Sequence, residues 1–396
     1  MTDIIARAPV KAWRMLVLGV LAQAAGTMLV STPAYLIPLL HLERGMSLAE
    51  AGALAAAPTL GMVTTLVLWG HLADRHGERW VIAGGLALTA VFALAASAVS
   101  DVLGFGALLL LGGAASASVN SASGRIVVGW FPRRRRGTAM GIRQMSQPLG
   151  VAVAALVVPG LADVGGIAAP LLVSAAATGL LAVLCALGVE NPPRTPAVPG
   201  APAGANPYRR SGFLARVHAV SLLLVFPQFL LSTFGMVWLI AGLGWDAAAA
   251  GALIAASQFV GAFGRIAVGA LSDRVGSRMR VLRWVAVSGV VVMAALALVA
   301  ALEAGAAAAV VLVIATSVTV ADNGLAFTSV AEAAGSAWSG KALGIQNTGQ
   351  FVAASAVGPV MGALITAVGF PLAFALTALV PLAAYPLIPR HDEHAA

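Results

Sequence analysis

Charge is what this sequence has least of. Asp, Glu, Lys and Arg together make up 10% of the chain, against about 25% in a soluble domain. A chain this short of charge cannot cover a water-facing surface, which excludes a soluble globular protein. Cysteine is nearly absent too. The lone Cys185 lies in an apolar run, so an internal disulfide is excluded and a metal site is not expected. No nucleotide loop, metal-ligand cluster or nucleophile–base pair rises above chance, which argues against an enzyme. No cofactor is expected.

What is present is apolar length. Hydrophobic residues make up 60% of the 396 positions, in runs that recur from one end to the other. A bilayer-spanning helix needs roughly 20 mostly apolar residues. On that measure twelve spans are expected, at about 13–40, 49–70, 80–99, 104–130, 137–160, 166–188, 214–241, 247–270, 281–302, 306–334, 341–366 and 370–388. Ala22-Gln23-Ala24 faintly resembles a signal-peptidase site, but the apolar stretch runs on past it, and the first span reads as retained. The fold class expected is an all-α membrane protein of two six-helix bundles. Residues 1–189 form the first bundle, 190–213 a flexible Pro-, Gly- and Ala-rich linker, and 214–396 the second.

The net charge of +8 and the Arg133–Arg136 run suit cytoplasmic loops rather than nucleic acid. With the N-terminus inside, all but four of the 23 Lys and Arg fall in or beside cytoplasmic segments. The four are Arg44, outside, and Arg125, Arg143 and Arg265, within spans. Both termini are therefore expected to be cytoplasmic.

The charge that is present is concentrated and duplicated. "GHLADRHGER", residues 70 to 79, follows the second span, and "GALSDRVGSR", residues 269 to 278, follows the eighth, 199 positions later (273 − 74). "RGTAMGIRQ" from Arg136 likewise matches "SGKALGIQN" from Ser339, at an offset of 203 (340 − 137), which pairs Asn120 with Asn323 and Arg143 with Gln346. Six spans, a linker and six more spans make a duplicated parallel repeat. Gly70 and Gly269 permit close helix approach at a bundle seam. Asp74 and Asp273 can accept hydrogen bonds from the free N–H groups that begin a helix, where the dipole also favours an anion. Arg75, Arg79, Arg274 and Arg278 can pair with carboxylates or helix-end carbonyls, and Glu332 is a candidate partner for Arg278. A mere orientation signal would explain the Arg residues but not the paired Asp and Gly.

Gly-x-x-x-Asp-Arg-x-Gly-x-Arg resembles the signature loop of the major facilitator superfamily, with Glu78 a departure from the base usual there. The resemblance covers the whole chain. It implies that Asp74 meets the start of the eleventh span and, by symmetry, Asp273 the start of the fifth, two latches that must break for the cytoplasmic side to open.

Ionisable residues inside spans are functional candidates by default. Arg265 stands four residues before Gly269, a spacing that resembles the monocarboxylate and oxalate–formate porters of the superfamily. There the resemblance implies a substrate carboxylate bound by this Arg, which a planar, permanently charged guanidinium suits. The alternative is that Arg265 ties the seam to Asp273 or a carbonyl. Gly261 stands where some of those porters carry an acid, and the first span has no Lys, so their proton-coupling arrangement does not carry over. Arg143 and Gln147 share a helix face, with Gln144 beside them, and Gln346, Asn347 and Gln350 form the matching set. Asn120 and Asn323 complete a polar lining. Arg125 is balanced between substrate contact and latch. Asp322, the deep carboxylate, is either a proton carrier or a buried partner of Arg125 or Arg143.

Three deep cations against one carboxylate suggest an electropositive cavity. The leading expectation is a secondary transporter moving a small organic anion, a carboxylate, across the inner membrane by alternating access, with protons as a candidate coupling ion. The alternative is a drug or metabolite efflux antiporter of the same superfamily, to which Gly358-Pro359-Val360-Met361-Gly362 lends some support and Gln147-Pro148-Leu149-Gly150-Val151 little. The expected partners are the small anionic substrate, the lipid bilayer and protons, with no nucleic acid, and the chain is expected to act as a monomer.

Overall fold

A computed structural model describes residues 10–131, 139, 142–191, 206–334 and 338–393. Among these residues there are helices and no strands. In lipid, backbone N–H and C=O groups must be satisfied within the segment, and a helix does this. The helices are α1 (Val10–Tyr35), α2 (Leu48–His76), α3 (Glu78–Ser97), α4 (Val102–Trp130), α5 (Ser146–Gly165), α6 (Ala168–Gly188), α7 (Phe213–Val237), α8 (Ala247–Val275), α9 (Arg278–Ala301), α10 (Gly305–Thr319), α11 (Asp322–Ala334) and α12 (Ser339–Ala384). Eleven stretches are long and apolar enough to cross a membrane. One of them joins α10 and α11. The last, Lys341–Leu387, is 47 residues long and breaks at Gly369, whose φ of 76° and ψ of 169° are not helical. Large apolar side chains such as Val67, Leu103 and Val164 are exposed, as a lipid-facing surface requires.

The chain forms two compact units, residues 1–33 with 57–198, and residues 34–56 with 199–396. The first is centred on Met15, Ile82, Leu86, Ile126 and Cys185. Its helices close on glycine. A Cβ on Gly61 would lie 1.9 Å from the Leu110 carbonyl oxygen, and one on Gly113 1.9 Å from that of Pro58, so α2 and α4 cross backbone to backbone. The second unit is centred on Val217, Val220, Leu282, Leu325 and Val330, and α7, α11 and α12 pack against one another in it. In the same unit Gly358 and Gly362 of α12 take the backbone of Gly52 and Leu48, where added Cβ atoms would come within 2.0 and 2.4 Å of carbonyl oxygens. That packing accounts for the Gly-Pro-x-x-Gly run in α12.

The sequence repeat is also a structural one. A single turn of π-helix follows α1 at Leu39–Glu43 and α7 at Trp238–Gly242. Glycines with φ of 69° and 68° then follow at Gly45 and Gly244. The next helix is capped in each case, α2 by a reciprocal Ser47–Glu50 box and α8 by Asp246.

The duplicated charged loops keep this correspondence. Gly77 and Gly276 both have positive φ, 84° and 69°. The helix after each loop is capped from the chain end that follows its bundle. The Asn191 Oδ1 accepts from the Arg79 N–H at 3.0 Å, and the Asp392 Oδ1 accepts from the Arg278 and Met279 N–H groups at 2.9 and 3.1 Å. Arg79 also donates to the Ala186 carbonyl at 2.6 Å. Arg278 pairs with Asp273 at 2.5 Å and with Glu332 at 3.6 Å. Beside Asn191, Glu190 pairs with Lys11, and with Arg14 at 3.2 Å. Lys11 first, then Arg14 and Arg79, hold the Glu190 carboxyl below the usual carboxylate range. Among the described residues no atom lies within 4 Å of a Cβ built on Gly269. Arg75 and Arg274 are exposed. The side chains of Asp74 and Arg125 lie outside the described residues, as does the Arg133–Arg136 run.

Candidate functional site

The tenth span is interrupted where the second unit gathers its polar side chains. Val318, Thr319 and Val320 are β-branched and poor helix formers. Ser317 and Thr319 also bond back to the Val313 and Thr316 carbonyls, at 2.8 and 3.2 Å, a habit that bends helices. α10 therefore ends at Thr319, and Asp322 opens α11, where the dipole favours a carboxylate. The break leaves the Val320 carbonyl without a helical partner. Arg265 of α8 fills that role, its Nε donating at 3.2 Å. Gly261 and Gly264 bring α8 close enough: Cβ atoms there would meet Val320 at 3.2 Å and the Ser317 carbonyl at 3.6 Å.

Having spent Nε on Val320, Arg265 keeps both terminal nitrogens without a hydrogen-bond partner among the described residues. The charge that acts on it is Asp322. Asp322 is 1% exposed. Its carboxylate oxygens make no hydrogen bond among the described residues, and the N–H groups of Asp322 itself and of Asn323 favour its charged form. No ion pair within 4 Å joins Asp322 to Arg265 among the described residues, so each retains binding capacity.

Beside this pair runs a continuous chain of hydrogen bonds. The Asn323 Nδ2 donates to the Gln228 Oε1 at 2.8 Å, and the Gln350 Nε2 donates to the Asn323 Oδ1 at 2.8 Å and the Ser221 Oγ at 2.6 Å. The Gln346 Nε2 also reaches the Ser221 Oγ, at 3.2 Å. The Gln346 Oε1 is 2.9 Å from the His218 Nδ1, and the His218 Nε2 is 2.9 Å from the Tyr208 hydroxyl. Burial holds the Tyr208 phenol above its ordinary value, so it remains a donor. Sequence reasoning singled out Gln350 and Asn323 but not Tyr208, Ser221 or Gln228. The signal was there: His218, Ser221 and Gln228 form one polar stripe on the apolar α7, at i, i+3 and i+10. Asn347 is half-buried beside this chain without joining it.

The first unit is wired differently. Arg143 donates from Nε to the Ser123 Oγ at 2.9 Å, and from Nη2 to the Asn120 carbonyl at 3.0 Å and Oδ1 at 3.4 Å; its Nη1 lies 3.5 Å from the Gln144 Oε1. Arg143 thus braces the start of α5 against α4. Gln144 is exposed and Gln147 half-buried. Trp238 is fully buried, edge-on to Phe374 at 5.2 Å.

Residues 16–359 match the model of the Major Facilitator Superfamily. The chain belongs to that superfamily. It is 47% identical over 380 residues to an uncharacterized MFS-type transporter of Mycobacterium tuberculosis strain H37Rv, which covers 95% of this chain and 84% of that protein. Over 140 residues it is 30% identical to the probable anion transporter 4, chloroplastic, of Arabidopsis thaliana, 35% of this chain and 26% of that protein. Its fold is similar to crystal structures of a bacterial homolog of the human lysosomal transporter Spinster. The TM-scores are 0.78 (inward-facing and occupied; 94% of this chain and 95% of that one) and 0.80 (inward-facing and unoccupied; 97% of each), at 16% and 15% identity. The chain is accordingly a multi-pass membrane transporter of the superfamily, with an all-α fold.

Proposed function

We propose that this transporter moves a small organic anion, a carboxylate, across the cell inner membrane by alternating access of two six-helix bundles (1–189 and 214–396) joined by the 190–213 linker, with both termini cytoplasmic. The observation that carries the reading is Arg265: a guanidinium deep in an apolar helix, one nitrogen anchored to Val320 and two left to grip a pair of oxyanion atoms. The name of the Arabidopsis relative points the same way over the segment it shares. Asp322, sealed beside Arg265 without a strong partner of its own, is the residue proposed to carry the coupling proton, which makes the transporter a symporter. Arg143, Arg125, Asn120, Gln144, Gln147 and Asn347 are proposed to complete substrate contact in other states. The residues of the two charged loops, with Glu332, are proposed to act as gates. The efflux alternative rests on the Gly358–Gly362 run, and the backbone contacts with Gly52 and Leu48 explain that run by packing.

The test is a thermal-shift screen of carboxylates and common efflux substrates against the purified protein, since a ligand of the folded state raises apparent stability. The best carboxylate is then titrated against wild type and Arg265→Lys. Loss of a desolvated bidentate contact costs about 2–5 kcal/mol, or roughly 30-fold or more in affinity. Equal affinities would refute the anion reading and favour the exporter.

A further inference from the structure

Gln23 of α1 is a buried amide for which the transport reading has no use. It is 7% exposed, and its Oε1 is sealed from solvent with no hydrogen-bond partner among the described residues. An unpaired polar group inside an apolar bundle is expensive, so this one calls for a partner.

Packing fixes where the amide stands. A Cβ on Gly19 would lie 3.8 Å from the Ser123 Cβ, and one on Gly26 2.6 Å from the Ser116 Oγ. Residues 19, 23 and 26 therefore form the α1 face that meets α4, and Ser116, Asn120 and Ser123 form the facing stripe. The two helices run antiparallel. Gln23 lies about 4.5 Å along its axis from Gly26 and Asn120 about 6 Å from Ser116, so the two amides stand at one height. On the other side, a Cβ on Gly150 of α5 would come within 2.4 Å of the Ala24 carbonyl oxygen and 2.7 Å of the Thr27 Cβ. Gln23 thus falls in the angle between α4 and α5. Consecutive spans alternate in direction, so α5 runs parallel to α1. Gln147, one turn before Gly150, then stands at the height of Gln23.

Three helices bring three amides to one level of the first unit, and all three keep bonding capacity. The Asn120 oxygens accept from Arg143, at 3.0 and 3.4 Å, while its Nδ2 donates to nothing among the described residues. Gln147 makes no side-chain hydrogen bond among them, and both residues are half-buried, so the level is reached from outside the core. In the second unit, by contrast, Gln346, Gln350 and Asn323 are joined to one another through Ser221 and directly. An amide offers donors on nitrogen and an acceptor on oxygen, whichever way round it is placed. An oxyanion only accepts, and would leave the Gln23 oxygen unpaired. A hydroxyl donates and accepts, and satisfies the amide in either orientation. An ammonium group also donates, but Arg143, fixed between α5 and α4 by Ser123 and Asn120, repels a cation.

We infer that Gln23, flanked by Asn120 and Gln147, is a binding site for a hydroxyl group of the substrate, which makes the carried carboxylate a hydroxy acid. Gln23 contacts that hydroxyl, and the two flanking amides complete its hydrogen bonds. The carboxylate half rests on the anion reading above; the hydroxyl half rests on the first unit alone.

Pairs of acids that differ by one hydroxyl test it. Lactate against propionate, and malate against succinate, are titrated into the purified full-length protein. Wild type should prefer the hydroxy member of at least one pair about 10-fold or more. Gln23→Met keeps the length and removes the amide, and should abolish that preference. Its melting midpoint should hold, because an unpaired polar group has been removed. Should Gln23→Met fail to fold, Gln147→Leu reads the same ratio and should reduce it. Arg265→Lys should weaken both members of the pair and keep the ratio. Equal affinities within both pairs in wild type, or a preference that survives in folded Gln23→Met, overturn the inference and leave the anion reading to Arg265→Lys. Lactamide carries the hydroxyl without the carboxylate. If it binds as tightly as lactate and Gln23→Met loses it, the hydroxyl site stands and the anion reading is refuted. Binding of none of the five by wild type overturns both.

Discussion

Arg265 and Arg143 are both half-buried guanidinium groups on apolar helices, and their surroundings give them different work. Arg143 is held by Ser123 and Asn120, whereas Arg265 is held through Nε and its two terminal nitrogens have no hydrogen-bond partner among the described residues. The sequence put Arg265 first, through its resemblance to the carboxylate porters, and could not show which neighbour takes each N–H. Asp322 was legible as a deep carboxylate; within its own unit the charge that acts on it is Arg265. If Asp322 carries the coupling proton, Asp322→Asn should abolish pH-gradient-driven accumulation in proteoliposomes yet leave substrate exchange intact, because the amide keeps the shape and loses the titration. Accumulation that survives would return Asp322 to a structural role. Glu190 carries a pH dependence of known sign. Its carboxyl is held low by Lys11 and then Arg14, so its contribution is present above the unfolded carboxylate value and disappears as pH falls through the folded one. The small acid-side drop in thermal midpoint should be missing in Glu190→Gln. A drop of the same size there would place its cause elsewhere.

At the scale of elements, apolar length located the spans closely, because spanning helices leave the plainest signal a sequence carries. The interruption of the tenth span at Val320 and Ala321 was not read from it. Its causes are local and small: a β-branched run, two hydroxyls bonding back, and an acid placed to start a new helix. Nor was the role of Gly261 and Gly264, which matter through what α8 presses on. Gly77 and Gly269, both in the charged loops, give a contrast that tests these assignments. Gly77 has φ of 84°, and a Cβ there would sit 2.4 Å from the Asn191 side chain. Gly77→Ala should therefore destabilise by about 1–2 kcal/mol from backbone strain alone. Gly269 is helical with open space around it, and Gly269→Ala should leave the melting midpoint unchanged or raise it. Equal losses in the two variants would contradict the packing described here.

At the scale of the molecule, the duplicated loops, π-turns and capped helix starts identify a two-fold repeat, and this much was written in the sequence. Harder to read was that the halves diverge chemically, one bracing its cation and the other presenting it. If the glycine at position 269 closes on a neighbour in another state of the cycle, Gly269→Leu should fold with a normal midpoint and still fail to transport. Normal transport by that variant would remove Gly269 from the gate. In the same way, Asp74→Asn should shift spin-label distances between the ends of the spans that bear the two charged loops without changing ligand affinity in the favoured state. Unchanged distances would remove Asp74 from the latch. The central claim, however, is that an anion is carried on Arg265, and counterflow in proteoliposomes tests it most directly. Vesicles loaded with the carboxylate that best stabilises the protein should draw in its labelled form through wild type. At subsaturating substrate, Arg265→Lys should reduce that uptake roughly 30-fold or more. Uptake by Arg265→Lys equal to wild type would contradict the account at its centre.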